Sequence, residues 1–284
     1  MRTIKQIHKA EFRPIADLIT YSPLPSRSLD MIDPFLFLNH HGPQVYPPDN
    51  NGLPFGPHPH RGMETVTYIL DGDISHKDSG GGESVITAGG IQWMTAGRGL
   101  IHAEVSSSRF LKEGGRMEIL QLWINLPSGL KMTEPRYIGK QKDDIPVVAL
   151  DSGNLTVQLV AGELEGVFGG FETLTPVFLS VIKSEKGGKY ELPVPSENNI
   201  FYYVVSGKVS VNGTAIDKLN LIEFNNDGET LSLELNENTT IILGHAKPFS
   251  EPVVARGPFV MNTLQEIQEA YDDYQKGKFG GWEN

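Results

Sequence analysis

The stretches Val66-Thr-Tyr-Ile-Leu-Asp-Gly72 and Phe201-Tyr-Tyr-Val-Val-Ser-Gly207 decide the fold, because each is an apolar run of strand-forming residues closed by a glycine turn, and one lays directly on the other. Aromatic and β-branched side chains suit a pleated, half-buried surface, and glycine supplies the positive φ that a tight reversal needs. A second pair lines up behind the first, with Asp227-Gly228-Glu-Thr-Leu-Ser-Leu233-Glu-Leu235 under Ala96-Gly97-Arg-Gly-Leu-Ile-His102-Ala-Glu104. One β unit is therefore written twice. Working outward, runs of the same character recur at Glu118 to Leu126 and Leu155 to Val160, punctuated by 31 glycines and 19 prolines in 284 residues. Many short strands divided by turn residues predict an all-β barrel or sandwich. The break between copies is expected near 128–145, where Ser128-Gly129, Pro135 and the run Lys140 to Asp144 interrupt the apolar pattern. A helical pattern appears only at the end: Leu264, Ile267, Tyr271 and Tyr274 recur at helical spacing behind a Thr263-to-Glu266 capping box, and predict a helix over about 263–276 that packs on a barrel wall.

Composition excludes several classes of function. With no cysteine, disulfides, thiolate metal sites and thiol nucleophiles are all ruled out, so any metal must be held by nitrogen and oxygen. The formal charge of −11 would repel a phosphate backbone, and no Lys/Arg cluster with interleaved aromatics offsets it, so no direct nucleic-acid binding is expected. No stretch approaches the roughly 20 apolar residues of a membrane span, and Met1 to Thr20 mixes charges among short apolar pairs. A cytoplasmic protein without membrane association is the expectation.

The chemistry is carried by Gly56-Pro57-His58-Pro59-His60-Arg61-Gly62-Met63-Glu64. Histidines two apart on an extended segment share a face, so both imidazoles can reach one ion, and Pro59 stiffens the segment between them. Ile101-His102-Ala103-Glu104 repeats the logic with an imidazole and a carboxylate. His58, His60, His102 and Glu104 thus form a candidate metal set, with Glu64 a rival carboxylate because it shares the parity of His58 and His60. The second copy acts as a control, since the constant offset that lays Val66 on Phe201 puts Pro193, Val194 and Pro195 at the places of His58, Pro59 and His60, and the second aligned pair puts Leu233 and Leu235 at those of His102 and Glu104. All the ligands vanish together, as expected if copy one is the site and copy two the scaffold. His40 and His41 are adjacent and are expected in a loop beside Gly42-Pro43. His76 and Asp78 are expected on an exposed hairpin, with a role in orienting a ligand as the other reading. His245 is expected to be structural. Phe55, Trp93, Met94 and Met117 are expected either to line a pocket or to fill the core.

His58-Pro-His-Arg-Gly-Met-Glu-Thr-Val-Thr-Tyr68, Gln92-Trp-Met-Thr-Ala-Gly-Arg-Gly99 with His102-Ala-Glu104, Gln121-Leu-Trp-Ile-Asn-Leu126, Glu134-Pro135 and Gly257-Pro-Phe-Val-Met-Asn262 together resemble the signature of the pirins over nearly the whole chain. Against the general cupin pattern the spacing departs in one place, with seven rather than six residues between Glu64 and Gly72, which displaces Glu64. The resemblance implies two tandem cupin β-barrels, a bicupin, with an N-terminal metal-binding cupin over 1–133 and a C-terminal cupin without ligands, plus a short helix, over 134–284. It implies His58, His60, His102 and Glu104 as the metal ligands, and so selects Glu104 over Glu64. It also implies one divalent transition metal, Fe(II) first, with Mn, Ni, Cu, Co or Zn as alternatives.

Some pirins are quercetin 2,3-dioxygenases, which open a flavonol ring with O2 and release carbon monoxide. The resemblance therefore implies a small planar aromatic substrate, flavonol-like, and O2, with Glu104 as the candidate catalytic base for the 3-hydroxyl. The alternative it implies is an iron-dependent, redox-responsive regulator that acts through a protein partner.

Overall fold

The computed structural model describes residues 1–282 as strands joined by short turns, with Leu264–Gln275 the one long helix among them. No helix among the described residues is long and apolar enough to cross a membrane. The chain divides into two compact units, each assembled from separated stretches. One contains Met1–Glu11, Tyr21–Leu36 and Asp144–Pro248; the other contains Phe12–Thr20, Phe37–Asp143 and the chain from Phe249 onward. The ends of the chain are thus exchanged relative to the contiguous halves 1–133 and 134–284.

Sheet order explains the exchange of the N-terminus. In the first-copy unit Arg136–Lys140 pairs with Ile91–Thr95, which pairs with Met63–Asp71, which pairs with Gly115–Asn125. The second-copy sheet runs Ile4–Lys9, Asn220–Phe224, Asn199–Ser206, Thr239–Ala246, Val177–Ser184, Leu155–Ala161 and Val147–Leu150. Ile4–Lys9 therefore takes the edge in one copy that Arg136–Lys140 takes in the other.

Each unit adds a four-stranded sheet of identical order. In the first copy it runs Phe55–His60, Leu100–Val105, Asp73–Asp78, Glu83–Thr87; in the second, Gly188–Pro193, Thr230–Leu235, Lys208–Val211, Thr214–Asp217. The glycine turns of the repeat fall where expected, with Gly72 at φ +87° and Gly207 at φ +78°.

Register corrects one detail of the repeat. His58 pairs with His102, and His60 with Leu100. In the second copy Tyr190 pairs with Leu233, and Leu192 with Leu231. The counterparts of His58 and His60 are therefore Tyr190 and Leu192, not Pro193 and Pro195, because the connection after the strand is three residues longer in the second copy. The control survives: Leu192, Leu231, Leu233 and Leu235 belong to an apolar core on which Tyr190 packs.

The C-terminal helix is capped by Thr263 and Glu266 as the sequence predicts. Its buried stripe is narrower than expected. Ile267 and Ala270 pack with Phe259, Met261 and Phe279, and Tyr271 borders them, while Leu264 is exposed.

Candidate metal centre

The strand Phe55–His60 presents His58 and His60 to one face, and the neighbouring strand brings His102 directly opposite His58. The three ring centroids lie 4.4–5.0 Å apart. Three ligand nitrogens, one from each ring, fall within 4.8 Å of one another. The outward nitrogens of two rings are already engaged: His58 Nδ1 donates to Gly56 O at 2.7 Å and His60 Nδ1 to Pro258 O at 3.0 Å. A neutral imidazole that donates from Nδ1 keeps its lone pair on Nε2. Burial, reinforced by the neighbouring imidazoles, pushes His60 down to about 3 and His102 well below its ordinary value, so both are uncharged near neutrality. The Nε2 atoms of His58 and His102 are 3.0 Å apart, the edge subtended at a right angle by two nitrogens about 2.1 Å from one ion. The donor set fits a divalent transition metal.

Glu104, the fourth predicted ligand, is not brought into that group of ligand atoms. It follows His102 by two residues on the same strand and lies opposite His76. Its buried carboxylate is held by three donors. Oε1 accepts from Thr67 Oγ1 at 2.8 Å and from Gln92 Nε2, and Oε2 accepts from Gln121 Nε2 at 2.6 Å. Thr67 sits in register with both Gln92 and Gln121, so one row across the sheet supplies all three. A carboxylate has about four acceptor sites, and one on Oε2 stays open. Glu64 belongs to the alternating face, in register with Thr95 and Ile124, and its Oε1 accepts from Thr95 Oγ1 at 2.6 Å. The parity it shares with His58 and His60 is broken at Gly62, whose φ of +82° separates the two strands.

The pirin sequence pattern matches residues 17–124, and that of the pirin C-terminal cupin domain matches residues 179–280. This chain belongs to the pirin family. A pirin-like protein from Caulobacter vibrioides is 40% identical over 253 residues, covering 88% of each chain. A Pseudomonas aeruginosa protein provisionally named a quercetin 2,3-dioxygenase is 34% identical over 266 residues, covering 94% of this chain and 92% of its own. Among solved structures, a quercetin 2,3-dioxygenase from Acinetobacter baumannii superimposes with a TM-score of 0.92 at 36% identity, covering 99% of both chains. The all-β bicupin expected from the sequence is thereby met.

Elsewhere the pirin scaffold corrects several expectations. His76 and Asp78 are buried, not on an exposed hairpin: His76 Nε2 lies 2.9 Å from Asp78 Oδ2, and the His76 ring stacks on Tyr137 at 3.7 Å and lies 5.5 Å from that of His102. His40 and His41 sit inside the strand Phe35–Tyr46, where His40 Nε2 is 2.8 Å from Glu118 Oε1 and His41 Nδ1 is 2.9 Å from Thr20 Oγ1. His245 is structural, stacked on Phe178 and 3.0 Å from the Asn198 side chain. Trp93 lies on the face opposite Gln92, and Met117 is core. Phe55 packs beside that core, with its ring 5.1 Å from that of His41.

Met94 shares its row with Thr65 and Trp123, on the same face as the Glu104 cage. Trp123, which the sequence offers only as part of the Gln121-to-Leu126 motif, meets His60 edge-on at 5.1 Å and stacks on Phe37 at 4.6 Å. Strand parity with Gln121 is the signal that could have found it.

Proposed function

We propose that this pirin is a metal-dependent dioxygenase of the quercetin 2,3-dioxygenase type, acting on a flavonol-like substrate and O2, with the ion held by His58, His60, His102 and Glu104. The observation that carries the reading is the convergence of three imidazoles, two of them with Nδ1 spent on backbone carbonyls, beside a caged carboxylate two residues along from His102. The named relatives and the Acinetobacter baumannii enzyme support the substrate class. Fe(II) is the proposed ion, and Mn, Ni, Cu, Co or Zn suit the same donors.

When bound, a divalent ion supplies Lewis acidity that eases deprotonation of a coordinated hydroxyl. The protein's own part is positional. Glu104 has one acceptor site left, on Oε2, so it would either hold the ion or take the 3-hydroxyl proton there, one at a time, while Gln121, Gln92 and Thr67 stop the carboxylate from turning. Trp123, stacked on Phe37, is the aromatic neighbour of His60 available to a planar ring system. Ring opening adds both atoms of O2 and expels one carbon as carbon monoxide.

The test is aerobic incubation of the metal-loaded protein with several flavonols while carbon monoxide is measured. One carbon monoxide per flavonol consumed is expected. Metal binding without turnover on any flavonol would overturn the enzymatic reading in favour of an iron-dependent regulator acting through a protein partner.

A further inference from the structure

The segment after Val254 follows the second copy in sequence yet belongs to the unit that holds the three histidines. We propose that it is a positioning element of the metal centre, with the Pro258 carbonyl fixing the tautomer of His60 and the C-terminal helix holding that carbonyl in place. The proposal rests on the reading that His58, His60 and His102 bind metal.

The contact is direct and long-range. His60 is buried, and its Nδ1 donates to the oxygen of Pro258, 198 residues away in sequence. A neutral imidazole carries one N–H, so an acceptor at Nδ1 leaves the lone pair on Nε2, the one ring nitrogen then left to meet an ion. Without that acceptor the two tautomers compete, and one of them places a proton where the ion must sit.

Three further contacts hold the carbonyl still. Val260 N–H donates to Arg61 O at 3.0 Å, tying the segment to the residue after His60. Lys131, almost fully buried, donates from Nζ to Gly62 O at 2.9 Å, Val260 O at 3.1 Å and Asn125 Oδ1 at 2.7 Å, so one ammonium joins two strands to the bend at Gly62. The Arg61 guanidinium donates to Asp273 Oδ2 on the helix at 2.9 Å and to Arg98 O at 2.6 Å, and lies over the Phe279 ring at 4.7 Å. Gly62 makes the approach possible, since a Cβ there would stand 2.0 Å from Val260 O.

The experiment reads tautomer and affinity separately in the full-length protein. Long-range ¹⁵N–¹H NMR on the metal-free, histidine-labelled wild type should show His60 protonated at Nδ1. Lys131→Met combined with Asp273→Asn should bring up the Nε2-protonated form of His60 and raise the Kd for Ni(II), used as the probe, by about 10–100-fold, with the far-UV circular dichroism of the wild type. Wild-type His60 protonated at Nε2 would overturn the proposal, as would a folded double variant with unchanged Ni(II) affinity. If the double variant fails to fold, the wild-type tautomer decides. A wild type that binds no Ni(II) would sink the metal reading instead, and the tautomer would again decide the positioning.

Discussion

His58 and His102 face each other in register on neighbouring antiparallel strands, with their Nε2 atoms 3.0 Å apart. In the second copy the same register pairs Tyr190 with Leu233, in an apolar core. One backbone arrangement thus serves chemistry in one unit and packing in the other, and the side chains alone make the difference.

That division predicts separable phenotypes. Leu233→Ala, which opens a cavity in the second-copy core, should cost roughly 2–5 kcal/mol of stability in denaturant unfolding and leave metal content per folded chain unchanged. A loss of metal from the folded variant would show that the second copy shapes the site.

The cage around Glu104 predicts an effect at the site without one on the fold. Gln121→Leu removes the donor to Oε2 and should weaken metal binding about 10–100-fold, with the melting temperature little changed. Titration calorimetry checks this; unchanged affinity would argue that Glu104 needs no holding.

His245 gives a pH prediction away from the site. Burial, with the charge of Arg2, lowers it to about 4 from 6.5, so between those values the unfolded chain takes up a proton that the folded chain refuses. Stability should therefore fall as pH drops from 6.5 toward 4, at up to about 1.4 kcal/mol per pH unit from this group. His245→Phe should flatten that limb by up to one proton, measured as the pH dependence of unfolding free energy. An unchanged slope would mean His245 is protonated in the fold.

Much of this was legible in the sequence because it is local. Histidines two apart, the strand-turn repeat and the Thr263–Glu266 cap are each set within a few residues. What was hidden depends on register or on distant strands. The Thr67, Gln92 and Gln121 row exists only once three strands pair. Pro258 reaches His60 only through the return of the C-terminus, and Ile4–Lys9 joins the second copy by a sheet edge that no pattern at the N-terminus announces. His76 and Asp78 read as exposed because hydropathy registers their charge, whereas the fold buries them as a hydrogen-bonded pair. A constant offset between the copies misplaced the counterparts of His58 and His60 because it ignored a longer connection.

The central claim is tested most directly by metal content, measured by plasma mass spectrometry on purified wild type and on His60→Ala with His102→Ala. About one transition-metal ion per chain is expected in the wild type, and almost none in the double variant, whose circular dichroism should match the wild type. Full occupancy in the double variant would contradict the account.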